Sequence, residues 1–286
     1  MFKSFAKVDE LSTLTADSDD IRRDWTVLLP FFNERTFLEG TLASLARQSE
    51  PPLVILIDNG STDGSGAIAR AACVRFRLPH VLLREPTPGK VAALASGFAL
   101  VNTPYVATCD ADTWYPETYL AQARAVLERD HRAAGGAYFV APDAGRWQRF
   151  GKALHIIAAA ALLPGQCHAG GAGQVFRTSA LRRAGGFDPA RWNMVLEDHE
   201  IMHRVRDHGG LGYHVRLWCA PAPRARDRAS TRWTLVERLC YHATTGWAGD
   251  WFFYGFLADR LAARRLSSAR LRERAYQDCD TEARAA

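Results

Sequence analysis

Four short apolar runs, each ending in a polar, turn-forming loop and followed by a segment of helical length, constrain this chain more than any other feature. The runs are Trp25-Thr26-Val27-Leu28-Leu29, Leu53-Val54-Ile55-Leu56-Ile57, His80–Arg84 and Tyr105-Val106-Ala107-Thr108-Cys109. Continuous rather than alternating hydrophobicity marks strands covered on both faces. Strand alternating with helix four times over predicts an α/β fold with a mostly parallel central sheet, right-handed crossovers and flanking helices. Open sheets of this kind bind ligands beyond the carboxyl ends of their strands. The loops after the four runs are therefore the places to look for chemistry.

Asn33 is expected to cap the first helix, whose apolar face reads Phe37, Leu38, Thr41, Leu42 and Leu45. Further helices are expected through Arg75, up to Leu100, from Pro116 onward, over residues 147–163 and over residues 197–207. Residues 213–218 read as a short strand. Residues 230–275 look mainly helical and concentrate Trp233, Tyr241, Trp247, Trp251, Phe252, Phe253, Tyr254 and Phe256. The expected organisation is an N-terminal arm (1–24), one catalytic α/β domain (25–220) and a mainly helical C-terminal extension (221–286).

Composition narrows the setting. A 48% hydrophobic, 23% charged chain is a globular one. No cationic start followed by an apolar stretch suggests a signal peptide, and the greasiest window, residues 153–163, contains His155 and falls short of a membrane span. Six cysteines without paired spacing point to reduced thiols and a cytoplasmic protein. The net charge of +5 is concentrated late: from Pro221 on, twelve arginines face eight acids. They form no recognition module, so no nucleic-acid partner is expected. Only Lys3, Lys7, Lys90 and Lys152 are lysines, which makes Lys90, at a helix start, conspicuous. A cation there is electrostatically misplaced unless an anion lies nearby.

The fourth run ends in Asp110-Ala111-Asp112. Two carboxylates so close repel unless a cation neutralises them, and Mg²⁺ or Mn²⁺ favours oxygen ligands together with substrate phosphates. The plainer alternative is a solvated turn in which one of them caps the helix opened by Pro116.

Taken in order, the loops give a resemblance. Leu29-Pro30-Phe31-Phe32-Asn33-Glu34, Asp58-Asn59-Gly60-Ser61-Thr62-Asp63-Gly64-Ser65, Pro88-Gly89-Lys90-Val91-Ala92-Ala93-Leu94 and the Asp-x-Asp turn together resemble the family 2 glycosyltransferases, with their Rossmann-like GT-A fold. The likeness spans about residues 25–210 and departs at Ser96, where Asn usually follows the Gly-Lys run. It implies a nucleotide-diphosphate sugar as donor, with Asp58 on the base and Pro30, Asn33 and Glu34 lining the same pocket. Lys90 would contact base or phosphate, Asp110 the ribose, and Asp112, with Asp110, the divalent metal. Read without the resemblance, Asp58 is a turn residue bonding its own backbone, and Glu34 a first-turn helix acid.

Val195-Leu196-Glu197-Asp198-His199-Glu200, preceded by Gly185-Gly186-Phe187-Asp188, resembles the family's Glu-Asp motif. By that match Asp198 is the general base of an inverting displacement and Glu197 supports it, the task being easier if burial raises the pKa of Asp198. An acidic first helical turn is the plainer reading. Gly171 and Gly173 resemble the acceptor-side Gly-x-Gly, where absent side chains would let an acceptor reach the backbone; a tight hairpin turn is compatible with this. His199 and His203 could in principle bind zinc, but solvated helix histidines are the expected state. A later histidine used by some relatives as a further metal ligand has no counterpart near Pro221. Ala229 stands where processive relatives carry Gln before Arg232-Trp233, which argues against processive synthesis.

Arg224, Arg226, Arg228 and Arg232 are candidates to fold over the diphosphate. The C-terminal aromatics are expected in the core, with a weak peripheral contact to the inner membrane face through the segment that also holds Arg260, Arg264, Arg265, Arg270, Arg272 and Arg274. The resulting expectation is transfer of a sugar from a nucleotide-diphosphate sugar to a hydroxyl-bearing acceptor with a divalent metal. The competing readings are a lipid-carrier phosphate as acceptor and an inactive nucleotide-sugar-binding module. A nucleotidyltransferase would need a Gly-rich basic loop after the first strand, which is not there.

Overall fold

In the computed structural model, residues 23–223 and 233–270 are described. Most of the N-terminal arm, together with Arg224, Arg226, Arg228, Arg232, Arg272 and Arg274, lies outside them.

The expected alternation is present: β1 (Trp25–Phe31), α1 (Leu38–Ala46), β2 (Leu53–Asp58), α2 (Ser65–Arg75), β3 (His80–Arg84), α3 (Lys90–Phe98) and β4 (Tyr105–Thr108). There follow β5 (Thr113–Trp114), α4 (Tyr119–Glu128), β6 (Ala134–Gly136), β7 (Tyr138–Phe139), α5 (Arg146–Leu162), β8 (Gln174–Arg177), α6 (Thr178–Arg183), α7 (Glu197–Val205), β9 (Leu211–Gly212) and β10 (Trp218–Pro221). The described C-terminal part holds α8 (Leu235–Thr244), a π-helical segment at Trp251–Leu257 and α9 (Ala258–Ala263).

The main sheet has the order β3-β2-β1-β4-β8-β6-β9. Its first four strands are mutually parallel, and β8 runs antiparallel to both β4 and β6. Alternate side chains of each buried strand feed opposite apolar layers, as the pleat requires. Val27, Leu29 and Leu56 pack with α1, α2 and α4 on one face. Leu28, Ile55 and Ile57 pack with α3, α6 and α7 on the other. The core is thus a sheet between two helical layers.

Two details of this topology position the site. The chain builds outward from β1 to β3, then returns to place β4 on the other side of β1, so the crevice of a switch point opens between the loops after β1 and β4. Phe31, Asp58 and Arg84 are in register at the ends of β1, β2 and β3. β4 stops level with Leu28, so the turn carrying Asp110 and Asp112 begins inside the rim set by its neighbours.

Several local expectations need correction. Asn33 does not cap α1, which starts at Leu38 with Phe37 before it and no side-chain cap. Nor is Glu34 a first-turn acid; its carbonyl accepts the N–H groups of Phe37 and Leu38. Neither Asp110 nor Asp112 caps the next helix, because β5 intervenes and α4 begins at Tyr119. Residues 213–217 are not a strand; of the expected stretch only Trp218 is, as the first residue of β10. The alternation of Tyr213, Val215 and Leu217 looks like one, but the Leu217 N–H closes a turn on the His214 carbonyl and the Tyr213 hydroxyl donates to the Gln166 carbonyl.

The C-terminal aromatics divide. Tyr241, Phe252, Phe253 and Leu257 form a buried cluster with Trp192 and Val195, whereas Trp247 and Trp251 are exposed. Cys73, Cys109, Cys167 and Cys219 are free and buried, and burial pushes the Cys73 thiol up to about 12.

Candidate active site

The loops after β1 and β2 are zipped together by backbone amides. Asn33, at a left-handed φ of 54°, accepts the Thr62 N–H on Oδ1 at 2.8 Å and donates its own N–H to Ser61 Oγ at 3.1 Å. Glu34 N–H donates to Ser65 Oγ at 2.8 Å, while Pro30 sits in β1 opposite Ile57. Asp58 does engage its own turn, Oδ1 accepting the Ser61 N–H at 2.7 Å. Its second oxygen faces Gly66, where a Cβ would lie only 2.8 Å away.

Asn59 was legible as part of the motif but not as a brace. Its buried amide donates to the carbonyls of Glu85 (2.9 Å) and Thr87 (2.8 Å) and accepts the Gly89 N–H at 2.9 Å. One side chain thereby sets the whole approach to α3. Gly89 is needed there because its φ is 127° and Ser268 Oγ presses on the space of a Cβ. The first N–H of α3, that of Lys90, donates to Ser268 Oγ at 2.8 Å.

Lys90 is the junction of the site. Its ammonium donates to Asp110 Oδ1 at 2.7 Å and lies 3.5 Å from Glu197 Oε1. Burial alone would depress its pKa, but the carboxylates of Asp110, Glu197 and Asp198 outweigh that and hold it above the usual lysine range. Asp112 is buried, takes a bond from Thr113 Oγ1 at 3.2 Å, and is tied to β10 through its carbonyl, which accepts the Ala222 N–H.

Tyr115 is the strut of the turn, and the motifs did not reveal it. Its fully buried hydroxyl accepts the Asp110 N–H at 3.0 Å and donates to the Ala172 carbonyl at 2.7 Å, joining the Asp-x-Asp turn to the glycine-rich segment. Thr108 Oγ1 donates to the Gly171 carbonyl from the same side.

α7 brings the second pair of acids in. Leu196, at a left-handed φ of 65°, turns the chain so that Glu197 and Asp198 open the helix. Asp198 is held on three sides: the Gly171 N–H donates to Oδ2 at 3.0 Å, His199 donates its N–H and Nδ1 to Oδ1 at 2.9 Å each, and Gln174 Nε2 donates to its carbonyl. The expectation of a raised Asp198 pKa is reversed. Burial pushes it up, but His199 and Lys90 overcome this and lower it. Glu197 goes the other way: burial and Asp198 raise it against the pull of Lys90.

Gly171 and Gly173 are packed against the protein itself. A Cβ on Gly171 would stand 3.2 Å from Lys90 Nζ and 3.4 Å from Asp198 Cβ, and one on Gly173 2.8 Å from Ala137 Cβ. The missing side chain of Gly171 leaves room for Lys90 and Asp198, and that of Gly173 for Ala137.

The histidines of α7 are not solvated. The His199 ring lies against Trp233 and Tyr241, and His203 is buried, stacks on Phe253 and bonds Asp250 at 2.8 Å. Carboxylate and aromatic partners occupy them, and among the described residues no group of three or more His, Cys, Asp or Glu is arranged to hold a metal. Glu200, also on α7, is buried in a pair with Arg204, whose guanidinium also donates to the Ala184 and Gly186 carbonyls.

The model of the family described as Glycosyl transferase family 2 matches residues 26–185, more than half of the chain. The chain is 26% identical over 233 residues to the succinoglycan biosynthesis protein ExoU of Rhizobium meliloti, covering 77% of this chain and 68% of that protein. It is 24% identical over 252 residues to the probable glycosyltransferase YdaM of Bacillus subtilis, covering 78% of this chain but only 54% of the relative. The chain therefore spans about half the length of that relative. Among solved structures, the mannosyltransferase PcManGT of Pyrobaculum calidifontis, in complex with GDP-Man and Mn²⁺, aligns with a TM-score of 0.65 at 19% identity, over 86% of this chain and 74% of its own. That likeness is one of fold, and the fold is the GT-A arrangement. Loop motifs, crevice and family match agree: the chain belongs to glycosyl transferase family 2.

Proposed function

We propose that this chain moves a sugar from a nucleotide-diphosphate sugar to a hydroxyl-bearing acceptor with inversion, assisted by Mg²⁺ or Mn²⁺. The observation that carries the reading is the Lys90 ammonium, 2.7 Å from Asp110 and 3.5 Å from Glu197. It makes the acids of the donor side and of the acceptor side walls of one crevice.

In this reading the loops at Pro30, Asn33, Glu34 and Asp58 receive the nucleoside, with Asp58 Oδ2 as the acceptor of a base N–H. Lys90 faces the pyrophosphate, where an ammonium answers the negative charge of phosphate oxygens. Asp110 faces the ribose, and Asp112, with Asp110, would hold the divalent ion. The donor set fits such an ion: these are hard carboxylate oxygens, with the remaining positions left to diphosphate and water, as Mg²⁺ and Mn²⁺ accept. When bound, the ion neutralises charge that gathers on the departing diphosphate. Asp198 accepts the proton of the attacking hydroxyl at a carboxylate oxygen. Its bonds from Gly171 and His199 keep it ionised and aimed, and Glu197 completes the pairing of Lys90 beside it. Residues 25–220 carry the catalysis and residues 221–286 support it. The mannosyltransferase solved with GDP-Man and Mn²⁺ supports donor class and metal.

A thermal-shift panel of nucleotide sugars, with and without Mn²⁺, tests this. A matching donor at about a hundredfold over its Kd stabilises by about 2.7 kcal/mol through linkage, and omission of Mn²⁺ should remove most of the shift. A donor that stabilises equally without metal would contradict the roles of Asp110 and Asp112.

A further inference from the structure

We infer that the exposed apolar stripes of α5 and α8 dock this protein on an anionic lipid surface, beside the acceptor end of its crevice. α5 has seventeen residues, of which only Ala153 and Ile156 are buried. Opposite that buried edge, Trp147, Phe150, Leu154, Ala158 and Leu162 follow one another at three- and four-residue spacing, all exposed. Trp147 is 86% exposed and Leu162 80%. A helix with one apolar side on the core and a second on solvent is unusual for a soluble surface.

α8 repeats the pattern. Leu235, Leu239 and Ala243 share its outer side, Leu235 being 73% exposed, and Trp247, 80% exposed, comes just after it. The segment that follows α5 reaches the carboxyl end of α8, where Gln166 donates to Thr245 Oγ1 at 3.0 Å and to the His242 carbonyl at 3.3 Å.

Charge selects the occupant. α5 contains no acid, and the exposed Arg146 and Lys152 flank its stripe. The one acid of α8, Glu237, is fully buried on the opposite side, leaving Arg238 outward. Apolar side chains with tryptophan among them and cations alongside are what an interfacial helix presents to anionic headgroups. The surface expected from the late arginines is different, because Arg260 and Arg264 turn inward to Glu237. Among the described residues no helix is long and apolar enough to cross a membrane, so the contact is a surface one.

Position gives the contact a purpose. α5 leads into Gly171, which bonds Asp198, and α8 is preceded by Trp233, whose ring lies 5.2 Å from that of His199. A bilayer on these stripes would bring membrane-borne hydroxyls to the acceptor side. This last consequence rests on the proposed transferase reading; the docking itself does not.

The test is flotation of the full chain with vesicles of phosphatidylcholine alone and of phosphatidylcholine mixed with phosphatidylglycerol. Binding is expected to the mixed vesicles, weaker to the neutral ones, and reduced by salt. A Trp147→Glu, Leu154→Glu double variant, and separately Leu239→Glu, should lower binding by about tenfold or more. Both should keep the melting temperature and circular-dichroism spectrum of the parent, which separates lost docking from lost folding. Full-length protein that stays with neither vesicle at low salt overturns the proposal, as do variants that float like the parent. Self-association abolished by the same substitutions, without vesicle binding, would assign the stripes to a second copy and overturn it as well.

Discussion

Asp198 meets two opposed demands. A base must be ionised to take a proton, yet each bond that keeps it ionised makes it a poorer acceptor. His199 and the Gly171 amide settle the matter toward ionisation and fixed aim, so in the proposed transfer Asp198 would work by position more than by basicity. Asp198→Asn should therefore lower turnover by about 10²–10⁴-fold while donor affinity, read by thermal shift, is kept. Near-normal turnover would favour a phosphate acceptor, which needs no base. At this scale the motifs picked out residues that the fold brings near one another: Lys90 reaches Asp110 and Glu197, Asp198 bonds Gly171, Asp58 ends β2, and Asp112 lies in the turn after β4. Tyr115 and the bracing role of Asn59 were not readable. Their importance depends on carbonyls and amides brought from distant segments, such as Ala172 and Gly89, and no local pattern encodes that.

Among the elements, α8 shows how a helix is tied down by one buried acid. Thr234 Oγ1 accepts the Glu237 N–H while Glu237 Oε2 accepts the Thr234 N–H, a reciprocal cap. Glu237 Oε1 also receives Arg260 and Arg264. Burial opposes ionisation, but these bonds outweigh it and depress its pKa below the usual glutamate value. A depressed folded-state pKa contributes stability that is full above the unfolded value and lost as pH falls through the folded one. Melting temperature should thus fall on acidification below about pH 4.5. Glu237→Gln should flatten that acid limb and cost roughly 1–3 kcal/mol at neutral pH by weakening charge-assisted bonds. Parallel pH–melting curves for the two proteins would refute this. Element type was legible for the first four strands because both faces are covered and hydrophobicity runs unbroken. It failed at residues 213–217, where alternation came from a turn anchored by the Tyr213 hydroxyl, and at the α7 histidines, whose partners Asp250, Trp233 and Tyr241 lie far along the chain.

For the molecule as a whole, the late segment is bound into the site. Met194 bridges Ser267, the Ser268 N–H donates to the Asn193 carbonyl, and Tyr254 donates to Glu200 at 2.5 Å. Ser268→Ala removes the acceptor at the start of α3. It should cost about 0.5–2 kcal/mol of stability, as loss of a helix cap does, and raise the donor KM while kcat changes little. An unchanged donor KM would show that α3 holds its place without that cap. The layered α/β plan was foreseeable from the strand–helix rhythm, whereas this long-range closure was not, since a serine late in a helical region carries no sign of its destination.

The seal that Ser268 places on Lys90 joins positions 178 apart in the chain. During synthesis, strands β1 to β4 can emerge and pair while the residue that fastens the start of α3 is still unmade. A nascent chain can therefore hold its sheet before the start of α3 is fastened, and that fastening must wait until Ser268 has been made.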